Sequence, residues 1–577
     1  MERSSTFQQR EFKRALIPVM LSVLGGTVNT LIDSTFVSRN LDSSALAAIS
    51  VNMPVFLALC MVGSLFGVGS FIASSHALGA SKVGDAQAYY HSAILFSVLF
   101  SLGFMAVGFF FPTQVANFLT NDPSLTDMVT DYCRITLIGS LPYILVYIPT
   151  YFLQLSGRTK DLTTMTLIMV ISDIILDWLF LFVFKWGIAG AALASVISTL
   201  AATVFGFLRL HLHDHIFRLS LRHFRLFGLK NIILFGSSAA IGNLMDVIRM
   251  FVLNMIIYSA SGTQGLAIWA VVNSLLEISL CITTGIPRTA APMLGIYIGG
   301  HDNEGVRSLV RLQIRLGLMI TFLFGLIAVV FHEPIGRFYK IRLDMLVPFI
   351  CLGLSVLQEV LCSILGSYFN VAKRVFFSNF IMVIRTFVFP ILFAQICYYF
   401  NLPVWFFLPV SMTVTLLVTV LIARSQSIMT RGKDHELSPI LLLDDYLEKH
   451  NQVKAFSIVS SNEAICQASA DVIDFCLENG MDRKTGTKLG LALEEVMTVM
   501  VQKSLNKEND PVDVRIFSYQ STFGISIMCS GKEYNLFKEA LDNQEDEFNM
   551  GVQMIQKISK DCHYLYSLGM NILTVEF

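Results

Sequence analysis

Charge is what this sequence has least of. Only 14% of its 577 residues are Asp, Glu, Lys or Arg, against about 25% in a soluble globular chain. A chain so poor in charge cannot keep most of its surface in water, so most of it is expected to sit in lipid. The ten cysteines are scattered and no two form a C-x-x-C pair, which leaves neither a disulfide framework nor a zinc site to organise the fold. A net charge of −1 speaks against a nucleic-acid partner. The N-terminus, MERSSTFQQREFKRALIPVM, is polar for too long, and the apolar run after it too lengthy, for a cleaved signal peptide. That run is expected to stay as a span.

What the chain has is apolar length: 54% hydrophobic residues, with Phe outnumbering Tyr 46 to 17, and a mean hydropathy of +0.63. A span needs about 20 apolar residues. Twelve such runs are read near 14–37, 45–75, 90–112, 129–156, 161–184, 187–209, 229–258, 264–286, 311–333, 345–371, 376–398 and 403–424. Prolines within them (Pro18, Pro54, Pro142, Pro149, Pro390) predict kinks, because each removes a backbone donor. Lys and Arg gather before the first run, between the sixth and seventh, and after the twelfth. By the positive-inside rule this places both termini in the cytoplasm of a multi-pass plasma (inner) membrane protein. The sequence also echoes itself: LGASKVGDA at 78–86 answers IGGHDNEGV at 298–306, and MVISDIILDWLF at 169–180 answers MVIRTFVFPILF at 382–393. Two six-span lobes are expected, over 1–225 and 226–430, followed by a linker at 431–439 and a separate domain at 440–577. Internal repeats are how many secondary transporters build a central site with alternating access.

The few charges inside the runs then become informative. Thr30–Arg39, TLIDSTFVSR, places Asp33 in a segment built for lipid, where a charge costs roughly 3 kcal/mol or more and marks an ion or substrate path. Asp173 and Asp177 are four apart and share a helix face. Their counterparts in the second half are Thr386 and Pro390. Three intramembrane carboxylates in one repeat, with no basic residue in their spans, either bind a cation or are held protonated by burial. The second half has its own polar set: Asp246, Arg249, Glu277, Gln358, Glu359 and Arg385. Asp246 and Arg249, three apart, are read as pairing. Glu277, Gln358, Asp246 and Arg249 are the candidate cavity residues for a small-molecule substrate, with Glu277 best suited to a cation. His211, His213, His215 and His223 cluster after the sixth run; they are read as interfacial side chains, and no metal site is expected.

These stretches resemble the multidrug and toxic compound extrusion (MATE) family. Phe36-Val37-Ser38-Arg39 and Ala45-Leu46-Ala47-Ala48 match its first loop region, with Ser38 where Gly is usual. ISDIILDWLFLFVFKWGIAGAALASVIS resembles its fifth and sixth spans, with Asp173 for the usual Asn and Ser195 for the usual Thr. The likeness covers about residues 10–430. It implies two six-helix lobes exporting bulky, often cationic drugs or toxins against an inward flow of H+ or Na+, with no other cofactor. It also implies that Asp33, Asp173, Asp177 and Ser195 occupy the cation-coupling positions of the first lobe.

Residues 440–577 read as a soluble α/β domain resembling the ATP-binding fold of histidine kinases and anti-sigma-factor serine kinases. Glu495 and Thr498 match the Mg-binding helix, but Val499 stands where an Asn ligand belongs. Cys529-Ser530-Gly531 replaces the Asp-x-Gly that reads adenine, and Asn549-Met550-Gly551 keeps only the second Gly of the phosphate loop. With all three boxes degraded, ATP and Mg2+ chemistry is not expected, and a regulatory or protein-binding role is. The overall expectation is an all-α polytopic membrane transporter with a cytoplasmic α/β tail, not an enzyme. The alternatives are a flippase of lipid-linked saccharides, which a broad basic cavity would favour, and a membrane-tethered signalling protein using its kinase-like tail.

Overall fold

The computed structural model describes residues 6–40, 43–120, 122–213, 216–219, 227–339, 344–430, 437–444, 450, 452–505, 510–519, 522–542 and 547–577. The side chains of residues 30–35, among them Asp33, and His215 and His223 lie outside the described set.

The apolar runs form long helices. In the first half these are α1 (Thr6–Asn40), α2 (Ser43–Gly79), α3 (Val83–Phe110) and the short α4 (Pro112–Leu119). There follow α5 (Pro123–Ile138), α6 (Ser140–Leu145), α7 (Tyr147–Leu155), α8 (Thr159–Asp177) and α9 (Gly187–His213). The second half has α10 (Leu229–Thr283), α11 (Gly285–Gly299), α12 (Asn303–Val330), α13 (His332–Phe338) and α14 (Leu346–Val371). It ends with α15 (Val375–Val383), α16 (Phe389–Tyr399) and α17 (Phe407–Met429). Among the described residues nine helices are long and apolar enough to cross a membrane, or ten if the pair bent by 54° at Gly139 is one span. That bend lies beside Pro142, one of the prolines read as kinks. The 55-residue α10 is roughly 80 Å long, far more than one crossing, and it breaks at Gly262 (φ 63, ψ −156). The break falls between the runs read at 229–258 and 264–286. The eighth run does not stop at 286, however: helix continues to Gly299.

The sequence echo has a structural counterpart. Ser81 (φ 58) and His301 (φ 56) both take the left-handed conformation. Lys82 N donates to Ala77 O and Asp302 N to Tyr297 O, both at 2.8 Å. Two copies of one helix-ending turn therefore stand 220 residues apart, and they touch: a Cβ on Gly299 would meet Gly79 Cα at 3.0 Å. Deeper in the bundle α2 and α10 cross with backbones in contact. A Cβ on Gly69 would lie 2.0 Å from Ile232 O, and one on Gly236 1.9 Å from Leu65 O. Small residues at such crossings let packing hold helices together where lipid gives no hydrophobic drive.

The tail is a five-stranded antiparallel sheet in the order β1-β2-β3-β5-β4, with β1 Val453–Val459, β2 Pro511–Tyr519, β3 Thr522–Ser530, β4 Asp561–Ser567 and β5 Met570–Glu576. Its helices are α18 (Asn462–Glu478), α19 (Arg483–Lys503), α20 (Leu536–Asp542) and α21 (Glu547–Ile558). The cap of α18 is Ser461, whose hydroxyl accepts from Ala464 N. Strand alternation separates two faces. Val514, Ile516, Ile525, Ile527, Leu573 and Val575 join the tail's own core with α18 and α19. Met528, Leu565, Met570 and Ile572 pack into the core of the helix bundle.

Polar contacts fix this docking. Arg515 donates to Gly300 O at 2.6 Å and to His301 O at 2.7 Å. Arg10 pairs with Asp510 at 2.8 Å and bonds Ser530. Ser567 Oγ and Leu568 N both donate to Leu155 O. There Gly157 (φ 72) is required, since a Cβ would meet Gly569 N at 2.2 Å. The tail thus touches the ends of α1 and α7 in the first half and the α11–α12 turn in the second.

Two outcomes follow from this packing. Gly236→Val forces α2 and α10 apart and is expected to abolish monodisperse expression, checked by size-exclusion chromatography in detergent, whereas Gly103→Val, exposed and with nothing within 4 Å of its Cβ among the described residues, leaves it intact. Arg515→Ala removes two bonds to carbonyls from a buried guanidinium and weakens docking by about 2 kcal/mol, read as faster hydrogen exchange at residues 299–302 and 155–158. Burial, with Arg515 and Lys373 nearby, holds the His301 imidazole below its ordinary value, and Asp444 opposes them. The docked form therefore disfavours the proton, so docking is intact above about pH 6.5 and loosens as pH falls below it.

Candidate functional site

Two helices of the bundle carry a π-helical stretch, one at its end and one at its middle. α8 runs into a π-helical stretch, Trp178–Val183, and α15 into another, Ile384–Val388. Such turns gather at functional sites. The first follows directly on Asp177, and the second contains Arg385.

On the acid side, Asp173 and Asp177 lie one turn apart on α8, each only 1% exposed. The Asp173 carboxylate is gripped from two neighbouring helices. Asn29 Nδ2 on α1 donates to Oδ2 at 2.6 Å, and Ser198 Oγ on α9 donates to Oδ1 at 2.9 Å. Ser195, the residue the resemblance points to, instead donates back to Ala191 O in its own helix at 3.3 Å, while its carbonyl accepts from Ser198. Asp33 lies on α1 one turn beyond Asn29, and its side chain is outside the described residues. The structure therefore brings together Asp173, Asp177 and the backbone of Ser195, and adds Asn29 and Ser198, which sequence reasoning missed. Hydroxyls and amides are common in these helices, and only the Ser195–Ser198 spacing hints at the second. Among the described residues no three His, Cys, Asp or Glu side chains gather as a metal site.

The second-half polar set stays apart from this centre. Arg249 pairs with Asp246 at 2.9 Å. Gln358 donates to Thr413 at 2.8 Å. Arg249 and Glu359 line a pinhole of about 20 Å3, walled by Trp269 and Leu276. Glu277, half-buried, lies in the field of Asp246 and Arg249. None of Asp246, Arg249, Glu277 or Gln358 lines the larger cavity of about 300 Å3 between the two halves. That cavity is walled by Val68, Phe71 and Tyr151 of the first half and by α10, α11, α14 and α15 of the second, with Val23 of α1 at its side. Its charges are Arg288 and Arg385. Arg288 escapes a reading that ends the eighth span at 286; the signal was there, since it is the sole basic residue between 262 and 300.

In the tail, two of the residues read as nucleotide-box remnants meet. A Cβ on Gly551 would lie 2.1 Å from Glu495 Oε2, so that carboxylate fills the space over this glycine. Thr498 donates to Glu494 O in its own helix at 2.8 Å, Val499 is buried, and Gly531 packs against Ser504.

Residues 18–179 match the MatE family model. The multidrug export protein MepA of Staphylococcus saprophyticus is 23% identical over 343 residues, 58% of this chain and 74% of that one. MepA of Staphylococcus aureus is 28% identical over 189 residues, 33% of this chain and 42% of that one. Over its first half the membrane part of the chain is therefore similar to the MATE family. It is accordingly a secondary transporter and not an enzyme. The fold agrees: an outward-facing MATE transporter of the MOP superfamily superposes with a TM-score of 0.67 at 19% identity, over 74% of this chain and 98% of that one. A Pyrococcus furiosus MOP transporter described for the reverse polarity of its binding pocket gives 0.64 at 19% identity, over 74% and 96%.

The grip on Asp173 makes a discriminating prediction. Ser198→Ala removes a hydrogen bond to a buried carboxylate and lowers stability by about 2 kcal/mol, whereas Ser195→Ala, which loses only a bond within its own helix, costs less than about 0.5 kcal/mol; thermal unfolding in detergent separates the two.

Proposed function

We propose that this protein is an H+- or Na+-coupled antiporter that exports small organic molecules of the drug or toxin class by alternating access. The observation that carries the reading is the buried Asp173–Asp177 pair, in which Asp173 accepts from Asn29 and Ser198, confined to one half of a repeated fold. A carboxylate kept in a membrane interior at such cost is a coupling site. Its tie to α1 supplies the route to the substrate. Asn29 touches Asp173, and Val23, six residues earlier on the same helix and about 9 Å away along it, walls the central cavity. A cation arriving at Asp173 and Asp177 competes for the carboxylate that holds Asn29, so α1 shifts and the cavity wall shifts with it. Asp33 is assigned to the same site from its place on α1.

The reading counts twelve spans in two six-helix lobes, adding α1 and the two arms of α10 on either side of Gly262 to the remaining crossings. It places both termini and the tail in the cytoplasm, in accord with the Lys/Arg loops. The tail is assigned a regulatory role without ATP chemistry: its sheet rests on both halves at once, which would oppose their separation on the cytoplasmic side. The resemblance also suggests an organic cation as cargo. The two arginines of the cavity argue against that, since a like charge placed beside them is repelled.

The test is transport in proteoliposomes under an imposed H+ or Na+ gradient, with a panel of fluorescent organic solutes of either charge. One gradient is expected to drive accumulation of at least one solute, and Asp173→Asn and Asp177→Asn each to reduce it at least tenfold. Absence of gradient-driven movement for every solute would overturn the antiporter reading.

A further inference from the structure

Among the described residues the cavity between the halves holds two positive charges and no negative one, since none of the described lining residues is Asp or Glu. Arg288 enters it from the first turn of α11, with its guanidinium over the Tyr151 ring at 4.5 Å. Its Nε and Nη2 are buried and have no hydrogen-bond partner among the described residues. Arg385 enters from the π turn and donates to Ser363 and, at 3.4 Å, to Met382 sulfur. It feels Glu359 but forms no ion pair with it among the described residues.

Buried arginines are normally matched by carboxylates, because a lone guanidinium in an apolar medium is costly. Here one is matched by a ring face and the other by a hydroxyl and a thioether. Both leave N–H groups for an incoming acceptor. A guanidinium presents a planar fork that fits an oxyanion with two bonds. Around the two forks lie further donors, Ser378 and Asn370 among them, and an apolar wall that includes Phe71 and Tyr151. The volume of about 300 Å3 is at the lower end for small-ligand sites.

We propose that this cavity binds an amphipathic organic anion, its carboxylate, sulfonate or phosphate bridging Arg288 and Arg385 and its apolar body lying against Phe71 and Tyr151. The assignment deepens the transport reading and rests on it for the movement of the ligand, though not for its binding. It also reverses the charge expected of the cargo: the first half takes the coupling cation on acid, and the second half takes the cargo on base. The two sites then differ in sign as well as in place, so neither ligand competes for the other's residues.

The test uses the full-length protein in phosphatidylcholine vesicles and two probes with one aromatic body and opposite charge, 1-naphthoate and 1-naphthylmethylammonium. Equilibrium binding of naphthoate is expected to be at least tenfold tighter than that of the ammonium. Arg288→Gln and Arg385→Gln are each expected to weaken naphthoate binding at least tenfold, and Arg288→Lys, which keeps the charge, to weaken it less. Should one Gln variant fail to fold, the other still decides, as does competition on the wild type, where sulfate should displace naphthoate. Ammonium binding as tight as naphthoate, or naphthoate binding unchanged in both Gln variants, overturns the proposal and leaves the antiporter reading in place. Naphthoate that binds but moves under neither ion gradient counts against transport and leaves the anion site standing. Repeating the measurement with phosphatidylglycerol in the vesicles identifies the source of the anion: suppression of naphthoate binding points to a lipid headgroup, and undiminished binding to a free small molecule.

Discussion

The cost of holding charge in an apolar interior is the constraint from which the rest of this molecule follows. With so few ionisable residues to spend on its spans, the chain places them by repeat: carboxylates in the fifth span of the first half, arginines around the cavity wall of the second. Each is positioned by an interruption of regular helix. The π turns let Asp177 and Arg385 project where an unbroken ladder would turn them aside, and the break at Thr284 starts α11 one turn before Arg288. An ideal bundle of unbroken helices would have no such places.

The link between the two centres is mechanical and short. α1 reaches Asp173 through Asn29 and the cavity through Val23, and in the proposed mechanism a change of charge at the first is felt as a change of shape at the second. The opposite kind of rigidity is found where α2 and α10 cross through Gly69 and Gly236. There the backbones meet with no side chain to yield, which makes the crossing a fulcrum rather than a sliding surface. The tail adds a second fastening, at Arg10, Leu155 and the turn 299–302.

Much of this was legible in the sequence, because lipid makes hydrophobic length and rare charge informative. The spans, the break between 258 and 264, the repeated turns and the Asp173–Asp177 pair could all be read from spacing. Arg288 fell outside the run read at 264–286, because that run ends two residues before it while helix continues to Gly299. Asn29 and Ser198 were hidden by their ordinariness: uncharged polar residues are cheap in a bundle, and only the fold tells which of them meets a carboxylate. In the tail the alternation of strands carries a second apolar face, with Met528, Met570 and Ile572, which the sequence alone does not assign to a partner. It is the face that docks.

The central claim, that the first-half acid pair exchanges a cation inside an otherwise intact bundle, is tested most directly by infrared difference spectroscopy on the purified protein. Raising pH, or adding Na+ at fixed pH, is predicted to remove a protonated-carboxyl stretch or shift the carboxylate bands of the wild type, and Asp173→Asn and Asp177→Asn are predicted to lose that signal. A spectrum that responds to neither ion, or that responds identically in both variants, would contradict the account.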